Sequence, residues 1–200
     1  MKEKIAKVIR ILTVPPLLVI GLIWILTIKR PAIFRNKLDI ALPIILLGIV
    51  PALAYPLQPI FPHYFNRPDK REGQRELAFV MSVIGYTLGI LLGYLTHVTH
   101  DLQFIFNSYF LSLMFLVLFN TVFHIRASGH ACSCTGPLLF LIFYIGSRAI
   151  LPSVLIAAAV VFGSLTLKRH TPKDLLFGAL SSVIAFFLTY LFMFTFSTPL

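Results

Sequence analysis

An all-α bundle of membrane-spanning helices is the fold class this chain predicts, and three observations predict it. Hydrophobic residues fill 58% of the 200 positions and charged residues only 12%, about half the charged share of a soluble domain. Apolar runs near the length a bilayer core demands, about 20 residues, recur along the whole sequence. Polar residues gather in short strings between those runs. At this length a single transmembrane domain over 1–200 is expected, a polytopic bundle with six to seven spans.

The first run is Ile11 to Ile28, with Pro15 and Pro16 kinking its start. Basic Met1 to Arg10 precedes it, and Lys29 and Arg30 follow where a signal peptide would place small residues, so the segment reads as a retained anchor. The second run, Ile40 to Leu57, holds Pro43, Pro51 and Pro56; such prolines persist where neighbouring helices satisfy the freed carbonyls. Gln58 to Glu76 is the longest polar segment. The third run, Leu77 to Leu95, carries Gly85, Gly89 and Gly93 at four-residue spacing, a stripe suited to close helix contact. A turn with Thr96, His97, His100 and Asp101 leads to the fourth run, Leu102 to Phe123. A short fifth run spans Pro137 to Ala149, a sixth Ile150 to Leu167, and the last Leu175 to Phe196.

The net charge of +10 comes from 17 basic and 7 acidic residues. The cations form clusters between spans, with no basic segment interleaved with aromatics, so nucleic acid is not the expected partner. Alternating the spans puts twelve cations on the side of Met1, Arg71, His130 and His170, and five (Lys29, Arg30, Arg35, Lys37, Arg148) on the other. The positive-inside rule then turns the first side to the cytoplasm of a cell or plasma membrane. Anionic membrane lipids suit that charge.

Two polar strings sit where helices emerge: Arg126-Ala127-Ser128-Gly129-His130 and His170-Thr171-Pro172-Lys173-Asp174. Each has a purely structural reading. Thr171, Pro172 and Asp174 fit a capping box with Asp in place of Glu, and Ser128 fits an ordinary helix cap. Each also has a chemical reading. A carboxylate four residues beyond His170 bonds one ring nitrogen and leaves the other basic. Ser128, Gly129 and the amides of a helix start suit a phosphate, and His130 can give a proton to a leaving oxygen. The strings fall on one side with the Arg-rich segment, which supplies a nucleophile, an acid and a cationic cradle in one layer of the bilayer.

Ser128-Gly129-His130 resembles the second signature of the type 2 phosphatidic acid phosphatases, relatives of the vanadium haloperoxidases, and His170-x-x-x-Asp174 resembles the end of their third. The resemblance covers about 65 to 190. It implies a membrane-embedded hydrolase that takes a lipid phosphate or polyprenyl diphosphate through a phosphohistidine intermediate. His170 is then the nucleophile, Asp174 its orienting partner, and His130 the general acid. Ser128 and Gly129 are phosphate ligands, and no metal or cofactor is implied. The match departs at two places: Ser164 stands where the third signature has an Arg, and Ile60 where the first has a Lys. Lys168 or Arg169 is the expected substitute for the former. For the latter, Asp69-Lys70-Arg71-x-x-x-Arg75 resembles a looser Arg-rich string, which makes Arg71, Arg75 and Lys70 the expected phosphate ligands.

A rival class is a non-catalytic lipid-phosphate binder or small transporter. Transporters place polar groups at the bilayer midplane, and few are expected here. His97, His100 and Asp101 read as solvated interfacial residues, Cys132 and Cys134 as small packing residues, and Asn107 and Asn120 as helix-to-helix bonding groups.

Overall fold

A computed structural model describes residues 1–61 and 70–195, with the backbone alone at 70–72. Among the described residues every regular element is helical. Helix α1 spans Lys2–Leu12 and α2 spans Pro15–Lys29; the two meet at 54°. The bend falls at Pro15 and Pro16, as the sequence predicts, because neither ring nitrogen can donate to the preceding turn.

The second apolar run folds as a broken helix, α3, over Lys37–Ile60. Its α-helical start ends at Pro43 and passes into a π-helical stretch, Ile44–Ile49. The runs after it are short and interrupted near Pro51 and Pro56. Helix α4 covers Lys70–Leu95 and α5 covers His100–Thr121. The polar segment after Gln58 is therefore shorter than the sequence suggests, because Lys70 to Glu76 already belong to a helix. The glycine stripe serves two neighbours. A Cβ on Gly85 would run into the carbonyl of Leu46 on α3, and one on Gly89 or Gly93 would run into Phe106 or Gln103 on α5.

Gly129–Thr166 is a 38-residue apolar helical stretch that folds as two arms, α6 (Gly129–Ile145) and α7 (Ile150–Thr166). Gly146, at φ 78°, makes the break in a region open chiefly to glycine. The arms are antiparallel. The start of α6 and the end of α7 both lie by α1, where a Cβ on Gly163 would meet Ala6 O at 3.4 Å and Ile9 Cγ2 at 3.5 Å. Helix α2 runs alongside α6: Cys134 Sγ donates to Thr13 O at 3.3 Å, and Arg30 Nε to Tyr144 O at 2.8 Å. Helix α8 (Pro172–Tyr190), extended by a π-helical turn to Thr195, packs chiefly on α5 and α6.

Five helical segments are long and apolar enough to cross a membrane, or six with the bent α1–α2 pair. The core lies where α2, α5, α6 and α8 meet. There Phe104 packs against Phe140 and Phe186 with ring centroids 5.1–5.2 Å apart, a separation typical of edge-on and tilted aromatic pairs.

Candidate active site

The two polar strings are hydrogen-bonded to each other. Ser128 N–H donates to the carbonyl of Asp174 at 2.8 Å, so the start of α6 rests on the first turn of α8. Gly178 makes this possible, since a Cβ there would overlap the Ser128 carbonyl. Ser128 caps α6, with Ala131 N–H donating to its Oγ at 3.2 Å, and it is fully buried. Gly129 and His130 follow as the first residues of the helix and line the cavity described below.

Asp174 is engaged as a cap. Thr171 N–H donates to its Oδ2 at 3.0 Å, and its own N–H donates to Thr171 Oγ1 at 3.2 Å. The same Oδ2 lies 3.7 Å from His170 Nδ1. That is ion-pair range but not a hydrogen bond. The structural and chemical readings of this carboxylate thus coexist on one oxygen. His170 Nδ1 is buried and has no hydrogen-bond partner. With Nδ1 turned to Asp174, Nε2 is the nitrogen left for a ligand. Burial, and then the charges of Arg75 and Arg10, hold the imidazole below the ordinary histidine value; Asp174 opposes this and Arg126 adds to it.

His130 and His170 line one cavity of about 690 Å³, within the range of ligand pockets. The charge of His170 acts on His130, as does that of Arg10. Arg10, Arg75 and Glu76 line the same cavity. It runs between helices. Phe79, Leu113, Leu116, Phe140 and Phe186 give it apolar walls, and broken α3 borders it with Pro51, Ala52 and Tyr55.

The remaining expected residues divide. Arg75 lines the cavity. Lys70 and Arg71 open α4, but their side chains lie outside the described residues. Lys168 is exposed and is not among the lining residues; its backbone, at φ 50°, ends α7. Ser164, where the resemblance expects a cation, is buried.

Two features escape the sequence reading. Arg10 counts there only toward topology, yet its helix brings it to both histidines. The lower cavity also carries more polar groups than expected: Ser82, Tyr86, Ser108, Tyr109, Ser112 and Ser182 all line it. The Ser108 and Tyr109 hydroxyls are buried without a partner. Isolated hydroxyls inside an apolar run leave hydropathy high, which is why the run hides them.

The other polar side chains singled out in the sequence divide. Asp101 Oδ1 accepts from Tyr144 at 3.2 Å, and His100 packs edge-on against Phe194. Asn107 reaches Met193 Sδ on the extension of α8 at 3.3 Å. Asn120 bonds its own helix through Leu116 O at 2.7 Å, reaches Ala127 O at 3.4 Å, and also lines the cavity. His124 is exposed and outside the cavity lining. Among the described residues no three His, Cys, Asp or Glu side chains are grouped to hold a metal. Comparison of the chain with protein-family models, with curated proteins and with solved structures finds no match.

Proposed function

We propose that this protein is a membrane-embedded phosphatase acting on a lipid phosphate or polyprenyl diphosphate, with His170 as nucleophile. One observation carries the reading: histidines from two helix starts share a cavity with Arg10 and Arg75, and most of its other walls are apolar side chains interspersed with hydroxyls. An amphiphile with a phosphate at one end matches that lining. The alternating arms α6 and α7 each cross the bilayer, the basic end faces the cytoplasm, and the tails enter between helices.

His170 Nε2 attacks phosphorus in line as the bond to the lipid oxygen breaks. His130, in the general-acid role the resemblance implies, gives a proton to that leaving oxygen. Water then attacks phosphorus, the P–N bond breaks, and the proton released by water returns to His130. Asp174 holds the His170 ring through Nδ1. The carboxylate and Nδ1 are 3.7 Å apart here, and such contacts commonly tighten once a ligand binds. Arg75 and the Gly129 amide stabilise charge on the equatorial oxygens, with Lys70 and Arg71 as the further ligands the resemblance implies, while Ser128, buried outside the cavity lining, acts through its cap of α6. Each step falls to a side chain or to water, so none calls for a metal or cofactor.

Purified protein is expected to release inorganic phosphate from phosphatidate, phosphatidylglycerol phosphate or a prenyl diphosphate, and His170→Ala to abolish release. Full activity in that variant overturns the assignment. The hydroxyl-lined lower cavity favours one second reading, a lipid-phosphate binder or small transporter. Flux in proteoliposomes without phosphate release would establish it.

A further inference from the structure

We infer that the amino-terminal helix is a working part of the site: α1 docks on the end of α7 and supplies Arg10 as a ligand for the substrate's phosphate. The inference deepens the phosphatase reading and rests on it only for the identity of the anion.

The position of α1 is fixed at two points, and Arg10 lies between them. Ala6 is fully buried, and Gly163 lets the α1 backbone lie directly on α7. Three residues beyond Arg10, the Thr13 carbonyl accepts from Cys134 on α6. Pro15 and Pro16, which follow, are themselves cavity wall. A side chain between such anchors does not wander with a loose terminus. Arg10 accordingly lines the cavity with His130, Arg75 and His170, and its charge acts on both imidazoles. An arginine suits this place because its planar fork pairs two phosphate oxygens at once.

The rest of α1 shows how the helix is held at the bilayer surface. Lys2, Lys4 and Lys7 are exposed, and so are Ile5, Val8, Ile11 and Leu12. A helix with both kinds of residue facing outward, bent 54° from the span that follows, has the character of an interfacial helix on an anionic leaflet.

The test uses full-length protein in detergent with orthovanadate as the phosphate mimic, read by thermal stabilisation and by inhibition of turnover. Arg10→Ala is expected to weaken vanadate binding roughly ten- to a hundredfold, the scale of a lost charge-assisted hydrogen bond. Arg10→Lys recovers part of it. Lys7→Ala, on the same helix but outside the cavity, binds like wild type. Gly163→Val, which crowds the α1 backbone and leaves every charge in place, weakens binding in the same direction. Melting temperatures without vanadate separate a lost ligand from a lost fold. Should Arg10→Ala unfold, the comparison of Arg10→Gln with Arg10→Lys decides. Wild-type affinity in the Arg10→Ala or Arg10→Gln protein overturns the inference. A wild-type protein that binds vanadate, with Arg10→Ala weakened, but hydrolyses none of the lipid phosphates overturns the phosphatase reading and leaves this one standing. No vanadate binding by wild type overturns both.

Discussion

The two ends of the bundle use the same side-chain types to opposite ends. At the end away from His130 and His170, Arg35 and Asp39 pair at 2.9 Å through Nε and at 3.1 Å through a second guanidinium nitrogen. The Arg35 amide also donates to Asp39, and Arg35 reaches the Thr96 and His97 carbonyls in the turn between α4 and α5. Thr99 donates to Ile33 O, and Arg30 to Tyr144 O. That end is a set of staples tying loops to loops. At the other end three arginines act on a histidine whose Nδ1 lacks a partner, and its nearest carboxylate is occupied as a helix cap. The contrast is between side chains that tie one loop to another and side chains gathered around a single cavity.

The sharpest way to break the comparison is to remove one carboxylate from each end. Asp39 is fully buried and takes three donors from Arg35. Asp39→Ala should lower the melting temperature by about 5–10 °C, given the bonds lost and the size of the chain, with turnover changed only as far as folding is. Asp174→Asn keeps an acceptor for the cap and should cost about 1 kcal/mol of stability. It should lower phosphate release roughly 10²–10⁴-fold, the scale of an impaired acid–base group. Equal effects of the two variants on stability and turnover would erase the distinction between the ends.

Gly178→Ala attacks the link between the strings. Its Cβ would overlap the Ser128 carbonyl, so α6 must move off α8. Expected are about 1–3 kcal/mol of destabilisation and a loss of turnover beyond what the unfolded fraction explains, since the shift separates His130 from His170. Denaturation curves paired with turnover per folded molecule measure both.

How much of this was legible follows from what kind of signal each feature leaves. Spans leave a signal in composition, so Leu102 to Phe123 closely matches His100–Thr121, whereas α4 and α6 begin at Lys70 and Gly129, about two turns before the apolar runs at Leu77 and Pro137, because polar residues form their first turns. The hairpin also shows, through Arg148 and Pro152 between its two apolar runs. The capping box shows because its donors and acceptors lie within four residues of one another. Arg10 does not show, because the histidines are 120 and 160 positions away and the contacts of Ala6 with Gly163 and of Thr13 with Cys134 bring it there. The Ser128–Asp174 bond is hidden for the same reason, since it runs between backbone groups of distant segments. Lys168 shows only its nearness in sequence to His170; the left-handed backbone it adopts at the end of α7 leaves no mark in the sequence.

The third test concerns protonation. His170 is held below its ordinary value of 6.5, first by burial and then by Arg75 and Arg10. A nucleophile must be neutral, so the acid limb of kcat/KM should fall below pH 6.5. Removing a nearby cation raises the imidazole's proton affinity, and Arg75→Gln should therefore move that limb toward higher pH. Stability follows the same linkage. Above pH 6.5 the ring is neutral folded and unfolded and contributes nothing. Below it the unfolded chain binds the proton first, so stability falls until the folded-state value is reached. An acid limb at or above 6.5, or one indifferent to Arg75→Gln, would remove His170 from the nucleophile's role.

The smallest effect separates a turn from a ligand. Lys168 sits at φ 50°, in the left-handed region, at the end of α7. Its N–H bonds Leu165 O at 3.0 Å and that of Arg169 bonds Ser164 O at 3.0 Å, the paired pattern that ends many helices with glycine at this position. Lysine is strained there and glycine is not. Lys168→Gly should thus stabilise the protein by about 0.5–1 kcal/mol, a rise of a few degrees in melting temperature. The same variant decides the residue's chemistry. If Lys168 only closes the helix, turnover and vanadate affinity stay at wild-type levels while the melting point rises. If its ammonium reaches the phosphate, affinity drops although the fold is more stable, and the cation expected in place of Ser164 is Lys168 after all rather than an arginine carried in by α1.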